Sequence, residues 1–245
     1  MVSDAAAVAA EIESALRAIG TAERAESEKR YLKSDLAFLG TTVGQIRAAA
    51  KHARRLHDLD HDRLIELVTV LWAEPVHERR MAAVMLLDLH PKVLSAADLS
   101  LVERLIRESR TWAYVDALAG DIVGGILTAD DRVEATLDRW AADADFWVRR
   151  ASMLAELRPL RAGADFGPFL RRADAMLDEK EFFIRKAIGW VLREVGKRRP
   201  DEVQSWLAPR THRASGVTMR EAVRYLAPAD AERLMAANRE HRPAD

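Results

Sequence analysis

The stretch EFFIRKAIGWVLREVGKRRP, residues 181–200, decides how the rest of the chain is read. At helical spacing, Ile184, Ile188, Val191 and Val195 recur at steps of four, three and four, which makes one apolar face. Lys186, Trp190, Arg193 and Lys197 recur at the same steps on roughly the opposite side. The only tryptophan of the stretch therefore sits in the basic row. A large aromatic among cations is badly placed for a core and well placed to meet something flat and anionic.

Composition extends this helical reading. The chain has 245 residues, 49% of them hydrophobic, with few Gly and Pro and an excess of Ala, Leu, Arg and Glu, a mixture that favours helix throughout. The formal net charge is -1, so a nucleic-acid interface has to rest on local patches. There is no cysteine, which excludes disulfides, thiolate metal sites and cysteine nucleophiles. The opening MVSDAAAVAAEIESAL has acids and no basic n-region, and is not expected to be a secretory signal. No apolar run is long enough to cross a bilayer, so the expectation is a cytoplasmic protein that uses no membrane.

Short breakers cut the helical pattern at Gly20, 38–42, Pro75, Pro91, 159–168, Pro200, Pro209 and Pro228. Thr218 with Glu221 reads as a capping box, Asp145 as the cap of the helix starting FWVRR, and 239–245 as a frayed tail. No segment alternates like a strand. A cation followed by small or apolar residues returns at Arg47, Arg80, Arg150, Lys186 and, less clearly, Arg220; in the same register, Asp116 stands between Arg80 and Arg150. The spacings are 33, 36, 34, 36 and 34 residues, a period that suits stacked pairs of antiparallel helices with one helix of each pair on the concave side. The competing explanation is chance similarity in an Arg- and Ala-rich chain.

Trp112 and Asp116 lie four apart in TWAYVDALAGDIV (111–123), beside the apolar stripe Val115, Leu118, Ile122. One reading is a half-buried Trp next to a solvated Asp. The other is a carboxylate and an indole in a cationic groove, suited to a flat, positively charged ligand within a polyanion. At ~4 Å and an effective dielectric of ~20, a carboxylate attracts a unit cation by roughly 4 kcal/mol. The cation rows are Arg47, Lys51 and Arg54; Arg150 and Arg158, with Trp147 one turn before; and Lys186, Arg193 and Lys197. Each alone fits a solvated surface, and together, in register, they fit phosphate contacts. The acids Asp58, Asp60, Asp62, Asp143, Asp145 and Asp201 then belong at helix ends or on the convex side. His57 and His61 in HDLDH have HExxH spacing with Asp58 where a glutamate base would stand; no third ligand declares itself, and the aspartates also read as a turn and caps.

These residues together resemble the bacterial AlkD-like DNA alkylation repair enzymes, which are HEAT-like-repeat DNA glycosylases. The resemblance covers roughly residues 25–225 and is carried by EFFIRKAIGWVLREVGKRRPDEV, with RYLKSDLAFLG, WAYVD and FWVRRASMLAEL in matching order. It implies an all-α, C-shaped HEAT-like solenoid (an α-α superhelix) over 1–245, with an N-terminal helix in 1–20. It implies a monomeric, monofunctional enzyme that excises positively charged N3- and N7-alkylpurines from double-stranded DNA without metal or other cofactor. The family's catalytic tryptophans and aspartate would fall on Trp112, Trp190 and Asp116. Its DNA-backbone contacts would fall on Tyr31, Arg47, Lys51, Arg150, Arg158 and Arg193. The chain departs from the family pattern at Thr41-Thr42, at Thr111-Trp112 and in its neutral charge. Two other functions compete: a non-catalytic HEAT-repeat protein that binds bent, branched or damaged DNA, and a protein-interaction scaffold.

Overall fold

The computed structural model describes residues 4–240. In chain order the helices are α1 (Asp4–Ile19), α2 (Ala22–Leu32), α3 (Val43–Leu56), α4 (His61–Ala73), α5 (His77–Leu89), α6 (Leu99–Ser109), α7 (Trp112–Ala117) and α8 (Gly124–Ala129). There follow α9 (Val133–Ala141), α10 (Phe146–Leu154), α11 (Leu157–Arg161), α12 (Gly167–Ala175), α13 (Phe182–Gly196), α14 (Pro200–Leu207), α15 (Gly216–Ala222) and α16 (Pro228–Glu240). A π-helical segment, Leu118–Val123, lies between α7 and α8. Among the described residues no strand is formed; extended pairing is limited to an isolated bridge between Ala37 and Val76. The protein is all-α, as its composition implies.

Contacts divide the chain into two compact units. The first holds residues up to Ser100 together with Thr111–Leu118; the second holds Leu101–Arg110 and the chain from Ala119 onward. In the first, α3, α5 and α7 pack in succession, with α1 and α4 behind them. Its core includes Trp72, Tyr114, Leu67, Leu71 and Leu86. In the second, α10, α13 and α15 pack in succession, backed by α9, α12 and α14, around Trp140 and Phe169.

The repeat register is visible in these helices. Arg47, Asp116, Arg150, Lys186 and Arg220 are each the fifth residue of their helix, and Arg80 is the fourth of α5. Most of these helices start at a side-chain cap: Thr42 with Gln45 for α3, Thr111 for α7, Asp145 for α10, Glu181 for α13 and Ser215 for α15. The expected box at Thr218 is corrected here. Ser215 is the cap, and Thr218 lies inside the helix, donating its hydroxyl to the Arg185 carbonyl at 3.0 Å. Prolines 200 and 228 open α14 and α16, and Gly20, 38–42, Pro75 and Pro91 fall between helices as expected. Pro159, expected in a loop, lies within α11. Of the tail read as frayed, Arg239 and Glu240 complete α16; 241–245 lie outside the described residues, as do 1–3 of the expected N-terminal helix.

One residue before the register position, an arginine recurs with a shared use. Arg79 donates to the carbonyls of Val70 (3.0 Å) and Leu71 (3.5 Å), Arg149 to those of Asp143 (2.7 Å) and Ala144 (2.8 Å), and Arg185 to that of Glu179 (2.6 Å). Each supplies a donor to carbonyls at the end of the preceding helix or turn, where the helix itself has none. Three arginines of the repeat are thus spent on this stacking.

A candidate nucleic-acid interface

In the first unit, α7 presents the central pair. Tyr114 and Val115 are fully buried, which leaves Trp112 and Asp116, one turn apart, half-buried on the neighbouring strip. Tyr31, at the end of α2 and 72% exposed, meets Trp112 edge-on with ring centroids 5.9 Å apart. Tyr31, Trp112 and Asp116 thus share one partly open surface. The π-helical turn begins two residues after Asp116, a departure that the sequence pattern does not reveal.

The rotation of α7 is fixed from behind. The Tyr114 hydroxyl and Nδ1 of His77 share a hydrogen bond of 2.6 Å, and the Tyr114 ring packs on Trp72 with centroids 5.5 Å apart. Phe38 stacks on His77 with ring centroids 4.6 Å apart. Burial pushes the Tyr114 phenol above the ordinary tyrosine range and the His77 imidazole down from 6.5 to about 4. A neutral imidazole can pair with the phenol through Nδ1 in either tautomer.

This pair makes stability depend on pH. The unfolded chain protonates His77 near pH 6.5, and the folded chain only near 4. The unfolded state therefore binds the extra proton between these values. The stabilisation is complete above the higher pKa and is lost as pH falls toward the lower one. Going from about pH 7 to about pH 5 should remove roughly 2 kcal/mol through this group. Urea melts at the two pH values measure it. His77→Gln, whose amide can pair with the Tyr114 hydroxyl but does not titrate, should flatten the difference.

The start of α3 is held by a buried acid. Glu78, fully buried on α5, accepts from the backbone N–H groups of Leu39 (2.8 Å), Gly40 (2.7 Å) and Thr41 (3.2 Å). Gly40 has φ +80, and a Cβ there would lie 1.9 Å from the Thr21 carbonyl oxygen, so only glycine fits this crossing. The loop delivers Thr42 to cap α3, and α3 carries Arg47 and Lys51. Lys51 is exposed, whereas Arg47 is half-buried and donates to Asp88 at 3.0 Å.

In the second unit the cations are less free than their spacing implies. Arg150 is 3% exposed, and its guanidinium donates to the Phe183 carbonyl at 2.6 Å and lies 5.7 Å from the Phe183 ring. A side chain so enclosed ties α10 to α13. Arg158 is exposed and donates to the Asp121 carbonyl at 3.3 Å. On α13, Trp190 is half-buried, and the apolar face opposite is fully enclosed, as the spacing requires. Arg193 is bound by Glu221 of α15 and approached by Glu194 at 3.7 Å, so the basic row is a mixed-charge network.

The acids behave largely as expected. Asp60 and Asp145 cap α4 and α10, Asp62 and Asp201 lie in first turns, and Asp143 pairs with Arg107 at 2.5 Å. His57 is the C-cap of α3 and His61 the first residue of α4, so HDLDH spans a helix break and does not present two imidazoles on one helix face. His61 instead bonds Asp98 at 2.7 Å. Among the described residues no helix is long and apolar enough to cross a membrane. Sequence reasoning missed Glu78, His77, Tyr114 and Glu221. Their partners lie 28 to 39 residues away, and nothing local marks them.

Known proteins share the fold of this chain. The chain is similar to a predicted DNA alkylation repair enzyme from Enterococcus faecalis (22% identity, 85% of this chain and 97% of that one, TM-score 0.78). It is similar to AlkD2 from Streptococcus mutans (18%, 76% and 91%, TM-score 0.60) and to smu.31 from Streptococcus mutans UA159 (17%, 86% and 100%, TM-score 0.60). At these identities the structural likeness concerns the fold. No curated protein matches. The family model described as DNA alkylation repair enzyme matches residues 12–226, nearly the whole helical array, and the chain belongs to that family.

Proposed function

We propose that the protein is a monofunctional DNA glycosylase that excises positively charged N3- and N7-alkylpurines from double-stranded DNA. The observation that carries this reading is the shared open surface of Tyr31, Trp112 and Asp116. Alkylation at N3 or N7 gives the purine a formal positive charge and makes it a good leaving group. The bond between sugar C1′ and the purine nitrogen breaks with its electron pair going to the base, which leaves neutral. The sugar takes on oxocarbenium character, and water adds at C1′ and gives up a proton. Asp116, fixed on α7, stabilises the developing sugar cation. Trp112 and Trp190 hold the deoxyribose and backbone with their faces. Tyr31, Arg47, Lys51, Arg158 and Arg193 contact phosphates, Arg150 being enclosed. The enzyme acts as a monomer without a cofactor.

The test is incubation of the full chain with a duplex carrying one 7-methylguanine, reading free base by mass spectrometry. Release of 7-methylguanine and accumulation of abasic sites are expected. Tight, salt-sensitive binding with no base release from this or a 3-methyladenine duplex would point instead to a non-catalytic binder of altered DNA. Binding that ignores both DNA and salt would point to a protein scaffold.

A further inference from the structure

Trp190 is flanked by cations that already have partners. Glu221 lies 3.5 Å from Lys186 Nζ and accepts from Arg193. Glu194 lies 2.8 Å from Lys197 Nζ, 3.1 Å from Arg161 and 3.7 Å from Arg193 Nε. Two carboxylates thus hold four cations. The two lysine side chains are 45% and 41% exposed, while Glu221 and Glu194 are only 19% and 11% exposed. The acids sit beneath the cations they hold.

The backbone is shaped to bring Glu221 there. Gly189 precedes Trp190, and a Cβ on it would lie 2.8 Å from Glu221 Cβ and 2.9 Å from the Thr218 carbonyl oxygen. Without a side chain at 189, α15 closes on α13 and delivers its carboxylate to both neighbours of Trp190. A glycine inside a helix is unfavourable relative to alanine, and this close approach is what it makes possible here.

We propose that Glu221 and Glu194 set the affinity and selectivity of this surface for DNA, by occupying the cations around Trp190 so that phosphates must displace them. This rests on the DNA-binding reading above. A phosphate that takes Arg193 or Lys186 leaves a poorly solvated carboxylate behind, so ordinary backbone contact gains little. Undamaged duplex is then bound weakly, and the protein stays only where contacts beyond the phosphates add to the binding. The near-zero net charge of the chain fits this arrangement.

The experiment measures affinity of the full chain for an undamaged duplex by fluorescence anisotropy across a range of salt. Glu221→Gln should bind roughly tenfold tighter than wild type, with a plot of log affinity against log salt steeper by about one phosphate contact. Glu221→Asp keeps the charge and should stay within about twofold of wild type. Glu194→Gln should move in the same direction as Glu221→Gln and serves as the test if the latter does not fold, as judged by its melting curve. A folded Glu221→Gln or Glu194→Gln that binds no tighter overturns the proposal. If wild type still binds and releases 7-methylguanine, that result leaves the glycosylase reading intact. If neither wild type nor any variant binds duplex, both fall.

Discussion

Glu78→Ala should lower the stability of the protein by about 4 kcal/mol and its melting temperature by about 10 °C. The carboxylate is fully buried and accepts from three consecutive backbone N–H groups, those of Leu39, Gly40 and Thr41. A hydrogen bond to a charged acceptor contributes about 1.5–3 kcal/mol, and a buried donor left unpaired costs about 1–3 kcal/mol. The three bonds share one side chain, so their losses do not add in full. Glu78→Gln should cost about half as much as the alanine. Its one oxygen can keep Gly40 and Thr41, which share Oε1, while its amide turns a donor toward the Leu39 N–H. Thermal melts of the two variants give the order. Equal losses would mean that the loop is held by something other than these bonds. Because the loop also carries Thr42, the cap of α3, the alanine variant should loosen Arg47 and Lys51 and weaken duplex binding as well.

How much of this was legible depended on the range of the interaction. The repeat was readable because it is written in local pattern: the register residue falls at the fifth position of five helices, and the apolar face of α13 needs only its own spacing. The Trp112–Asp116 strip was readable for the same reason. The fate of each arginine was not. Arg150, Arg158 and Arg193 all read as members of cation rows, yet one is enclosed against the Phe183 carbonyl, one is exposed and one is bound by Glu221. What separates them is a partner roughly one repeat away, and a period detected in cations says nothing about which acid or carbonyl the next repeat supplies. The π turn at Leu118–Val123 is similarly silent, since the apolar spacing of Val115, Leu118 and Ile122 reads as ordinary helix. The buried pair of Glu78 and His77 was hidden because polar residues in a solvated-looking HERR run are ordinarily exposed.

Asp116→Asn should reduce release of 7-methylguanine by about 10² to 10³-fold, equivalent to roughly 3–4 kcal/mol of transition-state stabilisation. Asparagine keeps the shape of the side chain on the half-buried strip of α7 and removes its charge, so duplex affinity should remain within a few fold of wild type and the melting curve should hardly move. That separation is what the chemistry demands. The positive charge begins on the purine and passes to the sugar as the bond breaks, and a carboxylate placed for the sugar does more for the later arrangement than for the earlier one. Its loss therefore appears in the rate under single-turnover conditions and little in binding. Trp112→Phe, which keeps a flat ring against Tyr31, should retain much of the activity, while Trp112→Ala removes the ring and should lower rate and affinity together. An Asp116→Asn protein that releases base at the wild-type rate would remove the carboxylate from the mechanism and, with it, the reason for assigning catalysis to this surface.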